Sequence, residues 1–282
     1  QGEHVVIEAT RENNFMPTAA QIAPHIKGAT MLALCSPLNP TGTTFNKEEL
    51  EAICDLIIEE NASRKEGEKK LYLMFDQIYW TLTFGETRHY NPVALRPAMK
   101  DYTIFIDGIS KAFAATGVRV GWTMAPAEVI IKMRSLNSHI GSWAPMAEQH
   151  AVAKFLSRDT AVQQYLAHFK EEVSYRLQKI YEGFTRLKEE GFAVDAIIPQ
   201  AAIYLTVRIN LVGKKTASGK MLEEQTDVTA YILDEAKLAL VPFSAFGAGK
   251  NNSWYRISVG CAKKEEIPTM LGKLKDALLK LS

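Results

Sequence analysis

The sequence has few cysteines and none of the spacings typical of a metal site. Its three cysteines, Cys35, Cys54 and Cys261, lie far apart in a chain of 282 residues and form no CxxC pair. A sparse, odd number of cysteines predicts reduced thiols and a cytoplasmic protein. The six histidines show no HExxH spacing, so the sequence predicts no metal site.

The sequence also lacks a charge excess and any long apolar run. Its formal net charge is +1, with 33 basic and 32 acidic residues, whereas nucleic-acid binding usually requires a basic face. No apolar run approaches the roughly 20 residues that a membrane-spanning helix needs. We therefore expect neither a nucleic acid nor a membrane as partner.

Phosphate-binding glycine motifs are missing as well. No GxGxxG follows an apolar run, and the segment FGAGKN around Lys250 lacks the first glycine and the final serine or threonine of a P-loop. The composition, 47% hydrophobic and 23% charged, is that of a globular protein with one large domain or two modest ones.

The first 125 residues alternate between apolar runs and helical patterns. A short helix is predicted over 18–26, and Asn46 followed by Glu49 predicts the start of a second helix. Apolar runs predict buried strands, which we place at 4–9, 29–37, 69–76, 101–110 and 118–125. The run at 29–37 is typical of a strand buried on both faces. This order predicts an α/β fold with a mostly parallel sheet.

From about residue 145 the pattern becomes more helical, with shorter strands. Helices are predicted over 145–157, 159–190, 223–237 and 265–282, and strands over 192–199, 201–209, 238–243 and 254–262. We therefore predict a large domain over residues 1–168 and a smaller α+β domain over 169–282.

Polar residues follow three of the predicted strands of the large domain. Asn39, Asp76 and Lys111 each come at or just after the end of a strand. Ligands of parallel sheets bind beyond the carboxyl ends of the strands. We expect these three side chains to converge on one crevice.

The segment GISKAFAATGVRVGW, residues 108–122, places Lys111 and Arg119 in a stretch that otherwise looks built for burial. A buried, unpaired ammonium group is costly and tends to lose its proton. An enzyme that uses a neutral lysine as a nucleophile would favour such a place. Arg119 has the guanidinium fork that suits a phosphate or carboxylate.

Three more residues have both a functional and a structural explanation. Asn39 in NPTG is either a rigidly held amide or an ordinary turn residue. Asp76 and Tyr79 in FDQIYW are either a carboxylate and phenol at the crevice or a strand end and a core aromatic. Arg256 in YRISVG either binds a carboxylate or is a salt-bridged core arginine. The residues alone leave these alternatives open.

Taken in order, NPTG, Asp76-x-x-Tyr79, Ser110-Lys111 with Arg119 and GVRVGW, and Arg256 in YRISVG resemble the motifs of the class I/II aminotransferases. These are pyridoxal 5′-phosphate (PLP) enzymes of fold type I. The resemblance extends over essentially the whole chain. It implies a large domain with a mostly parallel sheet and a smaller α+β domain at the carboxyl end.

The resemblance also implies a role for each motif residue. Lys111 is similar to the lysine that bonds covalently to the cofactor, and Asp76 to the carboxylate paired with its pyridine nitrogen. Asn39 and Tyr79 are similar to the donors to its phenolic oxygen.

Ser110 and Arg119 resemble ligands of the cofactor phosphate. Arg256, assisted by Asn39, resembles the clamp for the α-carboxylate of the substrate. Lys111, Asp76 and Tyr79 are thus the candidate catalytic residues.

The sequence departs from the family pattern in three places. Gly108 stands where many relatives carry a phosphate-binding serine or threonine, and Ser110 is the candidate substitute. Phe243 stands where a glycine is common. Relatives also carry many more residues before NPTG, so we expect the N-terminal part of the large domain to be missing from this chain.

The resemblance implies an aminotransferase that moves an amino group between an amino acid and a 2-keto acid, with aspartate or an aromatic amino acid as donor. It also implies a homodimer. The alternatives are a PLP-dependent lyase of the same fold, such as a carbon–sulfur lyase, a PLP-binding regulatory domain, and a non-catalytic fragment.

Overall fold

The fold is described from a computed structural model, which covers residues 2–250 and 252–282. The chain packs into two compact units. Unit 1 comprises Gln1–Leu38 and Thr43–Phe169, and unit 2 comprises Asn39–Gly42 and Lys170–Ser282. The domain boundary between residues 168 and 169 stays a prediction, since compact packing does not show that a unit folds on its own.

Unit 1 contains a four-stranded mixed sheet. Its strands are β1 (Met31–Cys35), β2 (Tyr72–Asp76), β3 (Thr103–Gly108) and β4 (Gly121–Met124). They lie in the order β1-β2-β3-β4; the first three are parallel and β4 is antiparallel to β3. The α/β class and the mostly parallel sheet are therefore confirmed for this unit.

The helices of unit 1 are α1 (Ala19–Ile26), α2 (Lys47–Ser63), α3 (Pro92–Leu95), α4 (Ala127–Ile140) and α5 (Met146–Leu156). Helix α2 begins where the sequence predicts, because the Asn46 side chain accepts a hydrogen bond of 2.7 Å from the Glu49 N–H. Its apolar face is completely buried in a cluster that also includes Leu73 and Phe75 of β2. Hydrophobic burial on this face fixes α2 against the sheet.

Two predictions for this unit are wrong. Residues 4–9 form no strand, and Val5 and Val6 are 63% and 71% exposed. An extended apolar run becomes a strand only when a neighbour satisfies its backbone groups, and the described residues supply none there. Strand β1 is not buried on both faces either, since Met31 is 53% exposed.

Unit 2 is an α+β arrangement built on an antiparallel sheet. Its strands are β5 (Val194–Ala196), β6 (Tyr204–Ile209), β7 (Val241–Pro242) and β8 (Trp254–Ser258), in the order β5-β6-β8-β7. Its helices are α7 (Gln225–Ala236) and α8 (Ile267–Leu279), together with most of the long α6 (Asp159–Glu189). Each predicted helix and strand of this unit is therefore present.

None of the helices within residues 2–250 and 252–282 has the length and apolar content needed to cross a membrane. Within the same residues, no group of three or more histidine, cysteine, aspartate or glutamate side chains is arranged to hold a metal ion.

Candidate active site

Asp76 is the last residue of β2, at the carboxyl edge of the parallel strands. One of its carboxylate oxygens, Oδ1, accepts a hydrogen bond of 3.0 Å from the Ile78 N–H. The other oxygen has no hydrogen-bond partner in the part of the chain that the structure describes. Asp76 is half-buried, so this oxygen is available to a positively charged group of a ligand.

Lys111 lies in the turn that follows β3, the strand next to β2. Its neighbours Ile109 and Ala112 are 4% and 3% exposed, and Lys111 itself is half-buried. Within residues 2–250 and 252–282 its amine makes neither a hydrogen bond nor an ion pair. The protein thus holds an unpartnered amine beyond the strand edge that ends in Asp76.

Arg119 and Tyr79 lie in different surroundings. Arg119 is exposed; its backbone φ is 60°, and its Nη1 donates a 2.7 Å hydrogen bond to the Thr116 carbonyl oxygen. Tyr79 is 1% exposed, in the turn after β2. Burial to this degree is what the structural explanation for Tyr79 requires, so its contact with a cofactor stays a prediction.

The structure explains why glycine stands at position 108. A Cβ atom on Gly108 would lie 2.9 Å from the Cα of Gly121 and 3.0 Å from the carbonyl oxygen of Val120. Both are backbone atoms of the adjoining β4 region, so they cannot yield as a flexible side chain would. A phosphate-binding hydroxyl cannot occupy position 108 here, which leaves Ser110 as the candidate.

Asp107, just before Gly108, is a buried carboxylate that is not among the site residues predicted from the sequence. Its Oδ1 accepts a 2.7 Å hydrogen bond from the Gly108 N–H, and its Oδ2 accepts one of 2.8 Å from the Trp80 indole. Burial raises the pKa of Asp107, these hydrogen bonds oppose the rise, and the nearby charge of Asp76 adds to it. The signal was available, because an aspartate that interrupts the apolar run TIFIDGIS needs buried partners.

His89 gives unit 1 a pH-dependent stability. Its ring centroid lies 6.0 Å from that of Phe75 and 6.3 Å from that of Trp80. Neither ring nitrogen has a hydrogen-bond partner among the residues described. Burial lowers the pKa of His89 from 6.5 to about 4, because a charged imidazolium would lose its hydration there.

The expected result is a loss of stability in acid. The folded protein resists protonation of His89 until about pH 4, whereas the unfolded chain takes up the proton near pH 6.5. The contribution of His89 is therefore fully present above about pH 6.5 and is lost as the pH falls to about 4, a loss of about 2–3 kcal/mol. Urea unfolding at pH 7 and pH 4.5 measures it.

His89→Phe, which cannot titrate, should flatten this dependence. His25→Gln is the matched control, because His25 is exposed and its loss should leave the slope unchanged. The same slope in wild type and His89→Phe would contradict the assignment to His89.

In unit 2, Arg256 lies on β8, between its neighbour strands β6 and β7. Its Nη1 donates a 2.8 Å hydrogen bond to Oδ1 of Asn39. Its Nε is buried and has no hydrogen-bond partner in the described part of the chain. No carboxylate there pairs with the guanidinium group, so the description of Arg256 as a salt-bridged core arginine is wrong.

The NPTG turn, which carries Asn39, packs on the sheet of unit 2. The Thr206 hydroxyl donates a 2.9 Å hydrogen bond to the Thr41 carbonyl, and the Ala201 N–H donates one of 2.9 Å to the Gly42 carbonyl. Gly42 has a φ of 72°, and a Cβ there would overlap the Tyr204 carbonyl oxygen. The glycine therefore serves a structural purpose that places Asn39 beside Arg256.

Gly42→Ala should destabilise the protein by about 2–4 kcal/mol, through left-handed backbone strain together with the backbone clash. Gly219→Ala is the matched control: its φ of 84° is similar, but no atom lies within 4 Å of the added Cβ. It should cost only about 1 kcal/mol. Chemical denaturation compares the free energies of unfolding of the two variants. Equal losses of stability would show that the packing around Gly42 contributes nothing.

The predicted site residues thus fall into two groups. Unit 1 contains Asp76, Tyr79, Ser110, Lys111 and Arg119, and unit 2 contains Asn39 and Arg256. The carboxyl edge of β2 and β3 accounts for the first group, and the Arg256–Asn39 hydrogen bond holds the second together. That all of them line one crevice stays a prediction.

Comparison with known proteins identifies what this arrangement resembles. Residues 1–274 match the protein family described as aminotransferase class I and II. A probable aspartate/prephenate aminotransferase of Rhizobium leguminosarum bv. phaseoli is 28% identical over 270 residues, covering 94% of this chain and 62% of that protein. An aspartate aminotransferase of Bacillus sp. (strain YM-2) is 31% identical over 248 residues, covering 88% of this chain and 58% of that protein.

Solved structures of aminotransferases are also similar to this chain. The aspartate aminotransferase from Rhizobium meliloti superposes with a TM-score of 0.86 at 26% identity, covering 99% of this chain and 65% of that one. An aromatic aminotransferase from Pyrococcus horikoshii OT3 gives a TM-score of 0.83 at 26% identity, covering 98% of this chain and 67% of that one. The chain therefore has the fold of these proteins and spans about three fifths of the length of the first relatives it matches.

Proposed function

This chain belongs to the class I and II aminotransferase family, whose members depend on PLP, and we propose that the protein moves an amino group between an amino acid and a 2-keto acid. The observation that carries this proposal is the Lys111 amine, which is half-buried just after β3 and has no partner among the described residues. An amine so placed is suited to bond with an aldehyde.

The donor groups fit the cofactor. Lys111 would bond to its aldehyde carbon, and the unpartnered oxygen of Asp76 would face its pyridine nitrogen. Ser110 and Arg119 would bind its phosphate, and an arginine that pairs with no carboxylate among the described residues suits that anion. Asn39 and Tyr79 would contact its phenolic oxygen. When bound, the cofactor supplies an electron sink for the carbanion of the substrate.

The residues of the chain would then have separate roles in proton transfer, in holding the cofactor charge and in binding the substrate carboxylate. The free Lys111 amine would accept the proton lost from the substrate Cα as general base, and would donate it as general acid to the cofactor carbon that receives the amino group. Asp76 would keep the pyridine nitrogen protonated, because a carboxylate favours the charged form of its neighbour. Arg256, with Asn39, binds the α-carboxylate of the substrate through its remaining N–H groups.

We propose aspartate or an aromatic amino acid as the donor. The relatives and solved structures above are named as aspartate, aspartate/prephenate and aromatic aminotransferases, which supports both choices. No observation favours the carbon–sulfur lyase or the regulatory domain.

The test supplies the purified protein with PLP, 2-oxoglutarate, and aspartate or phenylalanine. We expect glutamate to form in step with the new keto acid. A lyase would release pyruvate and ammonia from cysteine or a related amino acid without any keto-acid acceptor. That result, without glutamate formation in the first assay, would overturn the proposal.

We also propose a cytoplasmic homodimer. Within residues 2–250 and 252–282 none of the three cysteines forms a disulfide, which supports a reducing compartment. On α4, Met133, Leu136 and Ile140 share one face and are 37%, 60% and 63% exposed. An exposed apolar face of this kind is typical of an interface, and a second copy is the occupant that we propose.

Light scattering coupled to gel filtration should therefore give about twice the mass of one chain. Leu136→Asp should shift the protein toward the monomer, because it buries an unpaired charge in the proposed interface. Ser138→Asp is the matched control, since Ser138 is exposed on another face of the same helix. A monomeric wild type would contradict this prediction.

A further inference from the structure

Arg256 has aromatic neighbours that its proposed role does not by itself require. Its guanidinium carbon lies 4.6 Å from the ring centroid of Tyr204 and 5.0 Å from that of Phe246. Both distances lie within the range of cation–π attraction. Tyr204 is a buried residue of β6, 5% exposed, whereas Phe246 is 41% exposed. A large apolar ring is thus kept at the surface beside the guanidinium group.

Phe246 is itself held by Phe243. The two residues begin and end a short 3-10 helix, Phe243–Phe246. Their ring centroids lie 6.4 Å apart at an interplanar angle of 85°, an edge-to-face contact. Phe243 is 5% exposed. The buried ring of Phe243 therefore orients Phe246.

These contacts restrict the guanidinium group. Asn39 accepts a hydrogen bond from Nη1, and the rings of Tyr204 and Phe246 lie against the group. The buried Nε still has no partner among the described residues. A carboxylate would bind the N–H groups of this fixed guanidinium group that remain accessible, through charge-assisted hydrogen bonds.

We propose that Phe246, oriented by Phe243, is a positioning residue for carboxylate capture by Arg256. It keeps the guanidinium group in place for the incoming carboxylate, and it excludes water from the hydrogen bonds that form there. This inference rests on the proposed function, because it takes Arg256 to be the carboxylate clamp. It predicts that Phe246 affects substrate affinity more than the chemical step.

The test follows the Nε–H signal of Arg256 by NMR in protein labelled with ¹⁵N-arginine, during titration with propionate. Arg256→Lys, which lacks that group, assigns the signal. In the wild type the signal should shift as propionate binds to the guanidinium group. In Phe246→Leu the propionate dissociation constant should rise roughly 3- to 30-fold. Phe246→Tyr, which keeps an aromatic ring, should restore the wild-type value.

Tyr175→Leu is the matched control. Tyr175 is 43% exposed in the same unit, and the amines of Lys179 and Lys264 lie 5.9 Å and 4.7 Å from its ring centroid. Tyr175→Leu therefore removes an aromatic ring with similar cation contacts at a place away from Arg256. Propionate binding should not change in this variant. In assays with an amino acid substrate, Phe246→Leu should raise KM by a similar factor and change kcat less than twofold.

The outcomes separate the two proposals. If the Arg256 signal of the wild type does not respond to propionate, Arg256 is not the carboxylate clamp, and the proposed function loses that part. If the wild type responds and Phe246→Leu binds propionate equally well, only the role of Phe246 is overturned. An equal rise of the propionate dissociation constant in Phe246→Leu and Phe246→Tyr would also overturn the role of Phe246, because affinity would then not depend on an aromatic ring.

Discussion

Lys111→Ala is expected to lower the kcat of transamination by at least about 10³-fold. General acid–base catalysis by one side chain typically contributes 10²–10⁴-fold, and this variant also removes the nucleophile that would hold the cofactor. No other amine is placed to replace it in the same turn, where Ser110 and Ala112 flank position 111. Stability should change little, because the half-buried amine has no partner among the described residues.

The measurement combines steady-state kinetics with cofactor retention after dialysis, followed by visible absorbance. Lys154→Ala is the matched control, because Lys154 is an exposed lysine of the same unit and should leave both quantities unchanged. A Lys111→Ala protein that transaminates at the wild-type rate would contradict the catalytic assignment. Normal unfolding midpoints in both variants exclude a folding defect as the cause.

The sequence predicts the elements of this fold best where an apolar pattern coincides with a local signal. Asn46 caps α2 as predicted, and the four apolar residues of its buried face, Leu50, Ile53, Cys54 and Ile57, are completely buried. Strands β2 and β3 lie inside the predicted runs, and both end near the polar residues that mark the edge of the sheet. Local capping and burial periodicity determine these elements.

Prediction fails where a strand depends on a distant partner. Residues 4–9 have the composition of a strand, yet no described neighbour pairs with them. The sequence pattern does not predict helix α4 either, for a related reason. None of its residues is buried, because its apolar face has no cover within the described chain. Neither property can be read from a short sequence window, since both depend on what packs against the segment.

For the site, the sequence gives residue types but not pairing. It left open whether Arg256 is paired with a carboxylate, and only the structure shows that Asn39 is its hydrogen-bond partner. The two residues are separated by 217 positions in the chain. Nor does the sequence indicate that the close approach of Gly121 requires a glycine at position 108. Such contacts arise from tertiary packing rather than from local sequence.

Arg256→Gln is expected to produce the second large effect, a fall in kcat/KM of about 10²–10³-fold. Truncating one partner of a buried, hydrogen-bonded charge pair costs about 2–5 kcal/mol, and no carboxylate among the described residues already pairs with Arg256. Most of the fall should appear in KM, because the carboxylate is bound in both the ground state and the transition state. Steady-state kinetics over a wide range of amino acid concentration measures it.

Arg208→Gln is the matched control. Arg208 lies on β6, next to β8, and its Nε donates a 2.9 Å hydrogen bond to the Ser253 hydroxyl, so it already has a protein partner. Its loss should leave kcat/KM within about threefold of the wild-type value, about the change that a surface substitution of 0.5 kcal/mol produces.

The kcat/KM of Arg256→Lys should lie between those of Arg256→Gln and Arg208→Gln, because lysine keeps the charge but loses the fork that binds both carboxylate oxygens. An unchanged KM in Arg256→Gln would show that the carboxylate binds elsewhere. The buried Nε would then need another explanation.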